Sequence, residues 1–237
     1  MRLFINRYRI IWLYLFLLTP MLFTMNGCRN KESVKDAPIY DGTIVAAGDS
    51  LTAGLYVLEN EAYPAQLEKR LLGDAYRYRV INAGNSGETS SGLLSRMKWI
   101  LSMKPDIVII ETGANDGLRG VDPELTRKNI EGAVRILKSS RVTVVLAGMQ
   151  IVQNLGKEYT EAFKAIYPAV AKKEDIILTP FFLEGVAGNP DLNAPDGIHP
   201  TAAGYRIVVD NIYPSVIEAI KRQKASHPPI SNSSVPE

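Results

Sequence analysis

From Thr43 onward the chain alternates short apolar runs with longer helical stretches, and that order leaves few folds open. Strands are predicted at Ile44 to Ala47, Arg79 to Asn82, Ile107 to Glu111, Val142 to Ala147 and Ile176 to Leu178, each short, apolar and rich in Val and Ile. Helices are predicted at Tyr63 to Leu72, Ser91 to Met103, Pro123 to Lys138, Glu158 to Lys172 and Ala202 to Lys221. Pro64 and Pro123 suit first-turn positions, and Pro105 breaks the chain before the third strand. Strands separated by helices must run parallel, because each crossover returns the chain to the same edge of the sheet. The expected fold is therefore α/β, a three-layer α/β/α sandwich around a five-stranded parallel sheet.

The two ends of the chain stand outside that pattern. Arg2, Arg7 and Arg9 precede the apolar run IIWLYLFLLTPMLFTM, Ile10 to Met25, which is short for a membrane span and is interrupted by Pro20. Residues 1–27 read as a signal peptide, residues 28–39 as a polar tether, residues 40–224 as the folded domain and residues 225–237, rich in Pro and Ser, as a disordered tail. The sole cysteine, Cys28, closes the sequence MNGC, which resembles a bacterial lipobox with Met25 in the place usually held by Leu. That resemblance implies lipidation of Cys28. With Arg29 rather than Asp following, it implies a protein exported and anchored in the cell envelope, at the outer membrane facing the periplasm. Removing the segment before Cys28 lowers Lys+Arg from 27 to 24 against 25 Asp+Glu, a net charge of 24 − 25 = −1, so no basic footprint for nucleic acid is expected.

In a parallel sheet the carboxyl ends of the strands are where ligands bind. The first predicted strand ends in Gly48-Asp49-Ser50, the second in Asn82-Ala83-Gly84-Asn85-Ser86-Gly87 and the third in Thr112-Gly113-Ala114-Asn115-Asp116. Any one of these is ordinary turn chemistry, with Asp49 or Ser50 capping the next helix. Together they fall on one edge of the sheet. A nucleophilic serine needs a base, and the chain has two histidines; His227 lies in the tail, which leaves His199. Asp196 precedes it by three residues, near enough in a tight turn to hold one ring nitrogen while the other faces a serine. The Ser50 N–H, the Gly84 N–H and the Asn115 amide are candidate donors to an oxyanion. Two histidines and one cysteine supply no metal-ligand spacing, and no cofactor is expected.

The blocks Gly48-Asp49-Ser50-Leu51, Gly84, Gly113-Ala114-Asn115-Asp116 and Asp196-Gly197-Ile198-His199-Pro200 resemble, in order, the four blocks of the SGNH (GDSL) hydrolases. The resemblance implies a flavodoxin-like sheet with Ser50 as nucleophile, His199 as base, Asp196 as the acid that orients it, and Ser50, Gly84 and Asn115 as the oxyanion hole. The segments Asn82-Ala83-Gly84, Gly113 to Gly120 and Ala147-Gly148-Met149-Gln150 are similar to the bacterial thioesterase, arylesterase and lysophospholipase branch, which hydrolyses acyl esters and thioesters of small-molecule or lipid substrates. Leu155 stands where that branch often has tyrosine, and Asn85 and Glu88 also depart from its pattern, so chain-length preference does not carry over. Three other readings stay open. A glycan acetyl esterase would share the catalytic residues, and a flavodoxin-like binding lipoprotein would share the sheet without needing His199. An α/β-hydrolase would need a glycine after the serine, where this chain has Leu51-Thr52.

Overall fold

A computed structural model describes residues 39–151 and 155–226. Cys28, the tether up to residue 38, residues 152–154 and His227 lie outside the described residues. Five parallel strands form the sheet: β1 Gly42–Gly48, β2 Tyr78–Gly84, β3 Ile107–Glu111, β4 Thr143–Ala147 and β5 Ile177–Thr179, in the spatial order β2-β1-β3-β4-β5. The central strands read as continuous apolar runs because helices cover both faces. Ile44, Val45, Ala46 and Ala47 of β1 and all of Ile107 to Ile110 in β3 are fully buried.

The helices are α1 Ser50–Ala53, α2 Tyr63–Gly73, α3 Ser90–Ser95, α4 Met97–Ser102, α5 Ala114–Leu118, α6 Pro123–Ser139, α7 Lys157–Glu174 and α8 Ala202–Ser226, with a 3-10 turn at Glu59–Glu61. The chain steps from β1 to β2 in one direction, then returns past β1 to β3 and continues through β4 to β5. Right-handed crossovers in opposite directions place their helices on opposite faces. Accordingly α2 packs with α8, while α3, α4 and α7 pack against α6. The reversal between β1 and β3 opens a crevice at the carboxyl ends of these two strands, which is where ligands enter such sheets.

Two expectations need correction. The predicted helix from Ser91 to Met103 is two helices, broken at Arg96 (φ −103°, ψ 12°). The break turns its guanidinium inward, to both carboxylate oxygens of Glu88 (2.7 to 2.9 Å) and to the Gly48 carbonyl (3.1 Å). The last helix does not end at Lys221 but continues through Ser226, so Ala225 and Ser226 belong to the fold and not to the tail. Its buried positions, from Tyr205 through Val216 to Ile220, keep one face on the sheet to near its end.

Candidate active site

The first strand delivers its serine through a tight turn. Asp49 caps α1, its Oδ1 accepting the Leu51 N–H at 2.9 Å, and Ser50 is the first helical residue. The capping role of Asp49 and the exposure of Ser50 at a strand end are thus parts of one geometry. Ser50 keeps 8% of its surface, while Asp49 and Thr52 beside it keep none. The Ser50 N–H, at the head of α1, has no partner among the described residues.

The base arrives from the loop before α8. Asp196 Oδ1 accepts the N–H groups of Ile198 (2.9 Å) and His199 (3.1 Å), and Gly197 N–H donates to the Ala194 carbonyl, which closes the turn. The turn leaves Asp196 Oδ2 2.6 Å from His199 Nδ1, and His199 Nε2 2.7 Å from Ser50 Oγ. The hydrogen bond to Oδ2 requires the proton on Nδ1, so Nε2 is the free base facing the serine. Burial pushes the Asp196 carboxyl up, but the donors from Ile198 and His199 outweigh it and hold the group below its ordinary value. The Tyr56 ring stands edge-on to the imidazole, with centroids 5.5 Å apart and planes at 82°. Nothing in the sequence had marked Tyr56, which is largely exposed and has φ 72°.

The third strand end supplies Asn115. Gly113, with φ 106° and no room for a Cβ against the Tyr167 hydroxyl, lets the chain turn straight from β3 into α5. One N–H of the Asn115 amide donates to Asp49 Oδ2 at 3.1 Å, which leaves the second for a substrate. The neighbouring Asp116 is a buried staple: it accepts from the Ser90 N–H (2.8 Å) and the Ser90 and Thr126 hydroxyls, tying the loop after β2 to α5.

Gly84 differs from its expected role. Its N–H donates to Asn82 Oδ1 at 2.9 Å, and a Cβ there would run into the backbone N of Ala53. The residue is glycine because β2 and α1 touch, and its amide is already used. Further along the same loop, the Gly87 N–H has no partner among the described residues. Its carbonyl accepts from Arg119 at 2.9 Å, just past α5, and the loop starts with Asn85 N–H on the Gly48 carbonyl (2.8 Å).

Below the serine lies a second pair of acids. Glu111, at the end of β3, is fully buried, and its Oε2 accepts the Asp49 N–H (3.3 Å) and the Thr52 hydroxyl (2.8 Å). Burial, and then the proximity of Asp49, push the Glu111 carboxyl well above its ordinary value. Sequence reasoning gave no role to Glu111, Thr52 or Arg96, and noted Glu88 only as a departure from the family pattern. An acid at the buried end of an apolar strand, as in Ile107-Val108-Ile109-Ile110-Glu111, was the available signal.

A serine, an imidazole and a carboxylate linked in this order at the switch point of a parallel sheet define a serine hydrolase. The sequence pattern of the GDSL-like lipase/acylhydrolase family matches residues 46–207, and the chain belongs to that family. It is 41% identical over 175 residues to the esterase TesA of Pseudomonas aeruginosa, covering 73% of this chain and 87% of that protein. It is 37% identical over 171 residues to thioesterase 1/protease 1/lysophospholipase L1 of Escherichia coli strain K12, covering 71% of this chain and 80% of that protein. Among solved structures, TesA superposes with a TM-score of 0.72 at 40% identity, over 75% of this chain and 99% of that one. The esterase EstA from Pseudoalteromonas sp., in a structure inhibited by monoethylphosphonate, gives a TM-score of 0.72 at 30% identity over 76% of this chain and all of that one. This chain is accordingly a serine ester hydrolase.

Proposed function

We propose that Ser50 is the nucleophile of an acyl-transfer reaction, with His199 as general base and Asp196 as its orienting acid. The observation that carries this reading is the unbroken chain of short hydrogen bonds, Ser50 to His199 at 2.7 Å and His199 to Asp196 at 2.6 Å. His199 Nε2 takes the Ser50 proton as Oγ attacks the acyl carbonyl, and returns it to the leaving alcohol or thiol. Water then enters and attacks the acyl carbon as it gives a proton to the same nitrogen, which passes that proton to Ser50 Oγ as the acid leaves. The oxyanion is met by the Ser50 N–H and the free N–H of Asn115. The third donor is the Gly87 N–H, which like those of Ser86 and Thr89 has no partner among the described residues, in place of Gly84, whose N–H is spent on Asn82.

The substrate is an acyl ester or thioester, of the arylesterase, thioesterase or lysophospholipase kind, since relatives carrying those names match most of the domain. The protein is exported and held in the envelope by lipid on Cys28, as MNGC implies. The test is hydrolysis of nitrophenyl esters of graded chain length, an acyl-CoA, a lysophospholipid and an acetylated sugar by wild type and Ser50→Ala. Acyl substrates should be turned over by wild type alone. Preference for the acetylated sugar would move the reading to a glycan esterase, and activity surviving in Ser50→Ala would end it.

A further inference from the structure

Two carboxyl groups, Asp49 and Glu111, share a fully buried pocket directly beneath the nucleophile turn. No Lys, Arg or His forms an ion pair with either among the described residues. The titratable groups that face them from the packed elements are Tyr63 of α2, Tyr167 of α7 and Tyr205 of α8, with His199 acting on Asp49 from the site above, and the guanidinium of Arg96, which reaches the Gly48 carbonyl, is paired with Glu88 and not with either acid. Two buried negative charges this close, without a cation, are too costly to coexist, so one acid keeps its proton.

The hydrogen bonds say which. Asp49 spends both oxygens on donors, Oδ1 on the Leu51 N–H and Oδ2 on the Asn115 amide, the arrangement of a carboxylate. Glu111 accepts two donors at Oε2 and has no partner at Oε1 among the described residues. An ionised oxygen left bare in a dry pocket is far more expensive than a hydroxyl. We propose that Glu111 is a positioning residue that works as a neutral carboxylic acid, clamping the Asp49 N–H and Thr52 hydroxyl from below so that Asp49 can hold Asn115 in place for the oxyanion. The upward shift of the Glu111 carboxyl agrees with this protonation. Ionisation would set a second charge against Asp49 and loosen the turn that carries Ser50. The proposal rests on the acyl-transfer reading above.

Glu111→Gln copies the neutral acid: its carbonyl oxygen can accept both donors, and its NH2 stands in for the hydroxyl. Glu111→Gln should fold, with kcat within about threefold of wild type, whereas Glu111→Ala should lose at least about tenfold in kcat with KM little changed, because the lost positioning acts in the transition state. A second readout does not depend on activity. The infrared difference spectrum of wild type minus Glu111→Gln at neutral pH should contain the carbonyl band of a protonated, water-shielded carboxyl. A carboxylate band in its place, a Gln variant as impaired as the Ala variant, or a Gln variant that fails to fold would each overturn the proposal. If the acyl-transfer reading itself were wrong, Ser50→Ala would stay active while the infrared band remained.

Discussion

Replacing Asn115 with alanine separates two functions that the structure joins in one side chain. One amide N–H donates to Asp49 Oδ2 at 3.1 Å, and the other is the proposed oxyanion donor. Loss of a single oxyanion donor typically costs about 2.7 to 4 kcal/mol of barrier, or roughly a hundred- to thousand-fold in kcat. The donor acts on charge that develops only in the transition state, so kcat and kcat/KM should fall together while KM stays nearly constant. The second N–H adds a stability effect: Asp49 is fully buried, and a buried charged acceptor deprived of its donor costs about 1.5 to 3 kcal/mol. For a domain of this size each kcal/mol lowers Tm by roughly 2 to 4 °C, so a drop of about 3 to 12 °C is expected. A lower Tm therefore does not argue against catalysis here. The deciding measurement is kcat per active site, titrated with a serine-reactive phosphonate, at a temperature where circular dichroism shows the variant folded. A folded variant that loses less than about tenfold, under 1.4 kcal/mol of barrier, would falsify the oxyanion role.

Other perturbations follow from the same geometry. Asp196→Asn should cost at least about a hundredfold in kcat and at most on the order of ten-thousand-fold, because an amide N–H facing Nδ1 drives the proton to Nε2 and removes the base; unchanged pre-steady-state acylation would contradict this. The folded Glu111 carboxyl lies above its ordinary value, so its contribution to stability is complete below the ordinary glutamate range and is lost as pH rises toward the folded value. Glu111→Gln has no such proton to lose, and its Tm relative to wild type should climb with pH in thermal melts; a constant difference would show that the shift is absent. Cys28→Ser should move the full chain from the detergent to the aqueous phase or leave it unprocessed, and detergent partitioning unchanged by the substitution would count against lipid on Cys28.

The sheet was legible because its strands are covered on both faces. Runs such as Ile107 to Ile110 have no polar side to blur the signal, and predicted and observed bounds of β3 coincide. The helices were legible where proline or a long amphipathic face marked them, as at Pro123 and along α8. They were not legible where a single side chain decides the backbone. Arg96 sits in a stretch whose composition suits an unbroken helix, and only its partners Glu88 and the Gly48 carbonyl explain the break. Glu88 lies eight residues away, outside the spacing at which helical side chains pair, and the other partner is a backbone carbonyl 48 residues away, so no helical pattern announces them. The one-turn helix α5 escaped for a related reason: it is fixed by a strand end and its cap, and too short for a periodicity to develop.

The site divides along the same line. Ser50, His199 and Asp196 could be singled out because histidine is rare in this chain: with His227 placed in the tail a single histidine remained as base, with Asp196 three residues before it and Ser50 at a strand end. The oxyanion amides were less readable, since every residue except proline has an N–H and only the hydrogen bonds of the folded chain show which are already taken. Gly84 was expected as a donor because it ends the second strand without a side chain to obstruct approach and matches the second block of the family pattern. The Asn82 side chain, two residues back, claims that N–H, and the contact with Ala53 accounts for the glycine by packing alone. The Ser86, Gly87 and Thr89 amides, further along the loop whose ends are fastened to Gly48 and to Asp116, have no partner among the described residues, and Gly87 is the one proposed above as donor. That fastening decides whether Gly87 can serve. If Asp116→Asn frees the Ser90 end of the loop, kcat should fall although Asp116 touches no substrate, and Ser90→Ala, which keeps the backbone N–H bond to Asp116, should fall less. Equal activity of wild type and Asp116→Asn in nitrophenyl ester hydrolysis would mean that the loop is held without its staple, and that the Asp116 bonds to Ser90 do not position the donor.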